Sequence, residues 1–260
     1  MRHLLMTSLT LLLALGYSSA QLLADEPTAK GNTAQAAEQE KEEGFKSLFD
    51  GKSLDGWDGN PELWRVEDGA IVGQTTAEEP IKLNEFLVWE GGDVADFDLR
   101  LQFRVAAEGK GNSGVQYRSK RLTDLGKWIA GGYQADIDAT NRYMGILYEE
   151  RGRGILVLTS EKAEIHPTDD GKWEKKVTGS LGKQEELLKT VKPDTWVDYQ
   201  IIANGNHLVH KLNGTTVVDV VDYDEQHAAK SGILAFQIHV GPPMKIEFKN
   251  IRIKDLGDDN

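Results

Sequence analysis

Phe97-Asp98-Leu99-Arg100-Leu101-Gln102-Phe103-Arg104-Val105 carries an apolar side chain at every odd position and a polar one at every even position. Successive side chains of a strand point to opposite faces, so this unbroken alternation predicts a β-strand with one face in a core and the other toward solvent. Outward from it, Leu63–Glu67 and Ala70–Gly73 flank Asp68-Gly69, and His207–Leu212 and Thr215–Val221 flank Asn213-Gly214. Both dipeptides accept positive φ and close hairpins. Trp196–Ala203 enters the second hairpin through Asn204-Gly205-Asn206, giving a three-strand meander. Near the C-terminus Met244, Ile246 and Phe248 are apolar on even positions but Ile251 and Ile253 on odd ones. A one-residue bulge at Lys249-Asn250 returns both sets to the core. Lys183–Val191 is the one short amphipathic helix. About a dozen strands and almost no helix in roughly 210 residues predict an all-β, two-sheet antiparallel jelly-roll sandwich, with a single extended barrel second. No fixed-period repeat argues for a propeller.

The 260-residue chain, 39% hydrophobic and 28% charged, is long enough to bury a core and has the composition of a water-soluble globular protein. Its net charge of -12 repels phosphate backbones and argues against a nucleic-acid partner. With no cysteine there is no disulfide, thiol nucleophile or thiolate site, so histidines and carboxylates supply the acid–base and ligating groups. Residues 1–20 read as an export signal: a basic start, the apolar run Leu4–Leu15, and small residues at Ser18 and Ala20. Residues 21–43 lack aromatic residues and apolar periodicity and read as a flexible linker. The β domain spans 44–256, with 257–260 as a tail. The expected location is periplasmic or secreted, without stable membrane insertion after signal cleavage. Oligomeric state is not readable from the sequence.

Three candidate strands carry the chemistry. Val115 and Tyr117, Tyr133, Ala135 and Ile137, and Leu234, Phe236 and Ile238 form the apolar phases. Opposite them lie Gln116, Arg118, Gln134, Asp136, Asp138, Gln237 and His239; if the strands share a sheet, Arg118, Gln134, Asp136, Asp138, Gln237 and His239 form one polar band. Such a band on an open face suits a polyhydroxylated ligand. The even residues of 97–105 read as a solvated face, and His239 reads equally as a buried, hydrogen-bonded histidine. Gly111-Asn112-Ser113-Gly114 offers Asn112 to a ligand or simply makes a turn. Glu149, in the acidic and basic run Glu149-Glu150-Arg151-Gly152-Arg153, turns either to a cleft or into ion pairs. Trp89, like Trp57 and Trp64, is a sugar platform or core. No phosphate-binding glycine loop, nucleophile elbow, His-Glu-x-x-His or dinucleotide fingerprint is present, so no nucleotide cofactor is expected. Gln134-Ala135-Asp136-Ile137-Asp138 has an amide where a retaining glycosidase would carry its nucleophile, which disfavours that mechanism.

Five strings in order, Phe45-Lys46-Ser47-Leu48-Phe49-Asp50-Gly51-Lys52-Ser53-Leu54-Asp55-Gly56-Trp57, Trp64-Arg65-Val66-Glu67-Asp68-Gly69, Asn112-Ser113-Gly114-Val115 with Arg118, Gly132-Tyr133-Gln134-Ala135-Asp136, and Gly232-Ile233-Leu234-Ala235-Phe236-Gln237-Ile238-His239 with Phe248-Lys249-Asn250-Ile251-Arg252-Ile253, resemble the 3-keto-disaccharide hydrolase domain family. The resemblance implies a concanavalin A-like jelly roll and an exported hydrolase, or lyase and hydratase, acting on glycosides oxidised at C3. It also implies a divalent metal in some members. The family has Glu-x-Gln where this chain has Gln134-x-Asp136, so the role of that Glu does not transfer to Gln134. A C3 ketone acidifies the C2 hydrogen; a base removes it and the enolate expels the C1 substituent. Strand phase and resemblance together nominate His239 or Asp136 as base and Arg118 or a bound cation as enolate stabiliser. Asn112, Gln134, Asp138, Gln237 and Trp89 are the candidate carbohydrate contacts, and Asp136, Glu149 and His239 a candidate metal set. The scheme requires Arg118, Asp136 and His239 in one hollow. The alternative is a non-catalytic carbohydrate-binding β-sandwich.

Overall fold

The computed structural model describes residues 44–106, 108 and 111–257. The export signal and linker read at 1–43 lie outside the described residues, as do 258–260 of the tail. The strands among the described residues are β1 (Lys46–Ser47), β2 (Trp57–Asp58), β3 (Trp64–Glu67), β4 (Ala70–Gln74), β5 (Glu85–Trp89), β6 (Phe97–Val105), β7 (Asn112–Arg121), β8 (Ala130–Asp138) and β9 (Leu147–Glu150). They continue with β10 (Gly154–Val157), β11 (Glu161–Pro167), β12 (Trp173–Ser180), β13 (Val197–Asn204), β14 (His207–Leu212), β15 (Thr215–Asp222), β16 (Ile233–Ile238) and β17 (Lys245–Asp255). One short helix, α1 (Gln184–Leu187), joins β12 to β13.

Two sheets pack face to face. The ten-stranded sheet runs β12-β11-β15-β14-β13-β6-β17-β4-β3, with β1 also paired to β17, and the seven-stranded sheet runs β10-β9-β8-β7-β16-β5-β2. Pairing is antiparallel except between β11 and β15, which run parallel. The chain is the expected all-β sandwich, with more strands than the alternation alone resolves because β1, β2, β9 and β10 are too short to show a period.

The nine-residue alternation is β6, at the middle of the larger sheet between β13 and β17. Its odd residues are at most 2% exposed. Its even residues are tied sideways rather than merely hydrated: Arg100 and Gln200 hold Asp98, Gln102 reaches Asp198, and Arg104 grips Glu247. Asp68-Gly69 and Asn213-Gly214 close hairpins with both residues at positive φ. The β17 bulge lies where expected: register shifts between Lys249 and Arg252, and Asn250 has φ 55°. Ile246, Phe248, Ile251 and Ile253 therefore all enter the core. The helix is shorter than Lys183–Val191 because the chain turns after Leu187 to bury Leu188 and Val191.

The sheets meet through aromatic stacking. Phe236 of the smaller sheet lies 4.0 Å from Phe248 of the larger and 5.0 Å from Trp57. The buried, hydrogen-bonded histidine is His210, not His239. Its Nδ1 faces the Gly145 carbonyl, which only accepts, so Nδ1 carries the proton and Nε2 accepts from the Tyr117 hydroxyl. Burial holds His210 down at about 4, hence neutral. Replacing Phe236 by Ala should cost about 3–5 kcal/mol in urea unfolding, as for other large-to-small core changes, while Val177→Ala, at an exposed site, should stay within about 0.5 kcal/mol.

Candidate active site

Alternate residues of β8, β9 and β16, and of β7 as far as Tyr117, leave the core and reach the outer face of the smaller sheet. Register brings them abreast: Gln116 opposite Gln134, Gly114 opposite Asp136, and Gln134 opposite Tyr148. A hollow of about 260 Å³ opens there, its lining including Asn84, Asn112, Gln134, Asp136, Tyr143, Tyr148, Glu150, Gln237 and His239. Gly114 is required by this packing. A Cβ there would come within 2.5 Å of the Gln134 side chain, so the glycine makes room for the amide that supports Asp136.

The hollow is wired by amides between two carboxyl groups. Gln134 Nε2 donates to Asp136 Oδ1 at 2.8 Å and Asn112 Nδ2 to Asp136 Oδ2 at 3.2 Å. Gln237 Nε2 and Asn84 Nδ2 both approach Glu150 Oε2, at 3.5 and 3.2 Å, and Asn84 Oδ1 accepts from the Val240 backbone N–H. Burial pushes Asp136 up to about 7; the two amide donors oppose the shift, and the negative charges of Asp138 and Glu150 add to it. Burial also raises Glu150, against Asn84, Arg151 and His239, which favour its charged form. A carboxyl group held near neutrality and a second one raised beside a histidine are a proton acceptor and donor within one sugar-sized space.

Of the expected site residues, Asp136, His239, Asn112, Gln134 and Gln237 line this one hollow. Four other expected residues do not line the hollow. Arg118 is displaced by a register shift after Tyr117, where its own φ of 46° turns the side chain out of phase. Its guanidinium clamps the Ala95 and Gly205 carbonyls and Asp96, each at 2.7 Å, so it does not face the hollow as the expected enolate stabiliser. Glu149 takes the core phase, and Arg153 holds it through backbone N–H and Nε; Glu150, one residue on, faces the hollow instead. Trp89 pairs with Trp57 at the sheet edge and packs against the core, with the Lys46 ammonium 5.8 Å from its ring. Asp138 acts from behind, accepting from Thr140 N and Tyr143 N and so shaping the loop that carries Tyr143 to the hollow.

Asn84, Tyr143, Tyr148 and Glu150 escaped the sequence reading. Tyr148 and Glu150 become visible once β9 is registered against β8, whereas Asn84 sits on a loop with no periodic signal. The proposed metal set does not fit, because Arg153 engages the Glu149 carboxylate and, among the described residues, no three His, Asp or Glu side chains converge as ligands.

The 3-keto-alpha-glucoside-1,2-lyase-like domain family matches residues 44–254. Among curated proteins none matches the chain. Two solved structures of candidate glycosyl hydrolases from Parabacteroides distasonis ATCC 8503 are similar. One, at 20% identity, has a TM-score of 0.54 and covers 84% of this chain and 97% of its own. The other, also at 20% identity, has a TM-score of 0.52 and covers 82% and 99%. At that identity the likeness is one of fold.

Asp136 binds its proton more tightly folded, at about 7, than its ordinary 3.8, so its stabilising contribution is complete below pH 3.8 and lost as pH rises through 7. Asp136→Asn should therefore raise stability at pH 8 by a few kcal/mol, on the order of 3–4, with the gain vanishing below about pH 4 in denaturant titrations. Arg153→Met strips the partner from Glu149 and the buried Asp222, and should cost about 3–5 kcal/mol by the same measurement.

Proposed function

Because the chain belongs to the 3-keto-alpha-glucoside-1,2-lyase-like family, we propose that it cleaves glycosides whose ring carries a ketone at C3. The supporting observation is Asp136, a carboxyl group held near neutrality in a space suited to one sugar ring. In this reading the ionised Asp136 removes the C2 proton. The C–H electron pair moves into an enolate whose charge rests on the C3 oxygen. Collapse of the enolate forms the C1–C2 double bond and expels the C1 oxygen, which takes a proton from Glu150 or His239. The products are a 3-keto-2-hydroxyglucal and the free alcohol, and addition of water across the new double bond completes net hydrolysis.

With Arg118 engaged elsewhere, the developing charge on the C3 oxygen falls to neutral amide donors and to His239. Gln237 and Asn84 each place an amide NH2 group at the Glu150 carboxylate, so when Glu150 gives up its hydrogen-bonding role these amides are the neutral donors nearest a developing oxyanion. A pure binding module gains nothing from keeping two carboxyl groups above their ordinary range, which favours the enzymatic reading over the carbohydrate-binding one. Export, read from residues 1–20, places the reaction outside the cytoplasm in this proposal.

Purified protein incubated with 3-keto-trehalose or a methyl 3-keto-glucoside should yield a glucal signal by NMR. Turnover should rise with pH through about 7 as Asp136 ionises, and Asp136→Asn should lower kcat about 10²–10⁴-fold with the fold intact. Intact substrate at every pH, alongside measurable sugar binding, would establish the binding module instead.

A further inference from the structure

Glu150 stands between two compartments. Its Oε2 meets Asn84 and Gln237 in the hollow, while its Oε1 faces Arg151, 3.8 Å away, on the other side. Beyond it a second space of about 970 Å³ runs past the Gly131-Gly132 backbone to the loop before β12 and to His227. The hollow, at about 260 Å³, is smaller than the roughly 300 Å³ at which sites for drug-sized ligands begin, so it suits one ring. The adjoining groove suits several.

The groove differs in charge from the molecule that carries it. In a chain of net charge -12, the exposed charged side chains along it are Lys120, Arg151 and Lys172. Its two carboxylates are buried and held, Glu149 by Arg153 and Glu150 by Asn84, Gln237 and Arg151. Lys172 shares a surface ion pair with Asp170, and Lys120 makes no ion pair among the described residues. Trp173 is half-buried on the wall, with its inner side on the core, where its ring can take the apolar face of a sugar. Buried acids behind exposed cations present a positive surface to a ligand.

We propose that this groove binds an anionic saccharide, so that the substrate is an acidic oligosaccharide whose terminal 3-keto ring occupies the hollow. The inference rests on the catalytic reading for the terminal ring, but the groove can be tested without turnover. Calorimetric titration of the whole protein with tetragalacturonate and with a sulfated tetrasaccharide, against neutral maltotetraose, reads the groove directly and separates carboxylate from sulfate as the preferred anion. At low salt at least one acidic probe should bind about tenfold more tightly than the neutral one, two exposed charge contacts each contributing up to roughly fivefold, and the preference should fade as salt is added. Lys120→Glu with Lys172→Glu should abolish the preference, and Trp173→Leu should weaken binding of every probe. Lys192→Glu, exposed and away from the groove, controls for net charge and should leave the preference unchanged.

Equal affinity for acidic and neutral probes, or equal loss in the Lys192 variant, would overturn the inference. If acidic probes bind as expected while neither neutral 3-keto glycosides nor acidic oligosaccharides oxidised at C3 of the terminal ring are cleaved, the groove stands and the catalytic proposal falls. If neutral 3-keto disaccharides are cleaved but acidic probes show no preference, the catalytic reading stands and the groove assignment falls.

Discussion

The antiparallel pairing of β7 with β8 is the constraint from which both the core and the candidate site follow. Because side chains alternate along a strand, one register decides two surfaces together. Val115 opposite Ala135 and Tyr117 opposite Tyr133 fill the space between the sheets, and Gln116 opposite Gln134 and Gly114 opposite Asp136 build the hollow. A slip of one residue would drive the amides and Asp136 into the aromatic core and expose the tyrosines. The core's preference for apolar groups therefore holds the polar band in place, and no separate device is needed to aim it.

The site depends on burial more than on opposite charge. Asp136 has two neutral amide donors and, among the described residues, no cation hydrogen-bonded to it, which keeps it available to take and release a proton near neutrality. Glu149, only one residue from Glu150, has the opposite fate. Arg153 meets it together with Asp222, Asp224 and the Tyr133 hydroxyl, and that cluster joins the turn after β9 to the end of β15. Two neighbouring glutamates of the same chemistry thus serve different ends because the strand sends them to opposite faces.

How much of this was legible depended on whether a local rule governs it. Period two reached β6, the β17 bulge and the polar phases of β8 and β16, and with them Gln134, Asp136, Gln237 and His239. The rule failed at Arg118, where a register shift within β7 breaks the alternation, and at Glu149, where β9 is too short to carry a phase. It had no purchase on Asn84, whose loop is aimed by the Val240 backbone from a distant part of the chain.

By itself the sequence determined the all-β architecture, the hairpin turns, the bulge and the family, because each is written in nearest-neighbour stereochemistry or in ordered strings. Tertiary structure alone decided which glutamate meets the hollow, that Arg118 becomes a clamp, that His210 is the buried histidine, and how far Asp136 departs from an ordinary carboxylate. Those outcomes depend on register between strands far apart in the chain and on how much water the packed sheets exclude, and neither quantity is carried by any short stretch of residues.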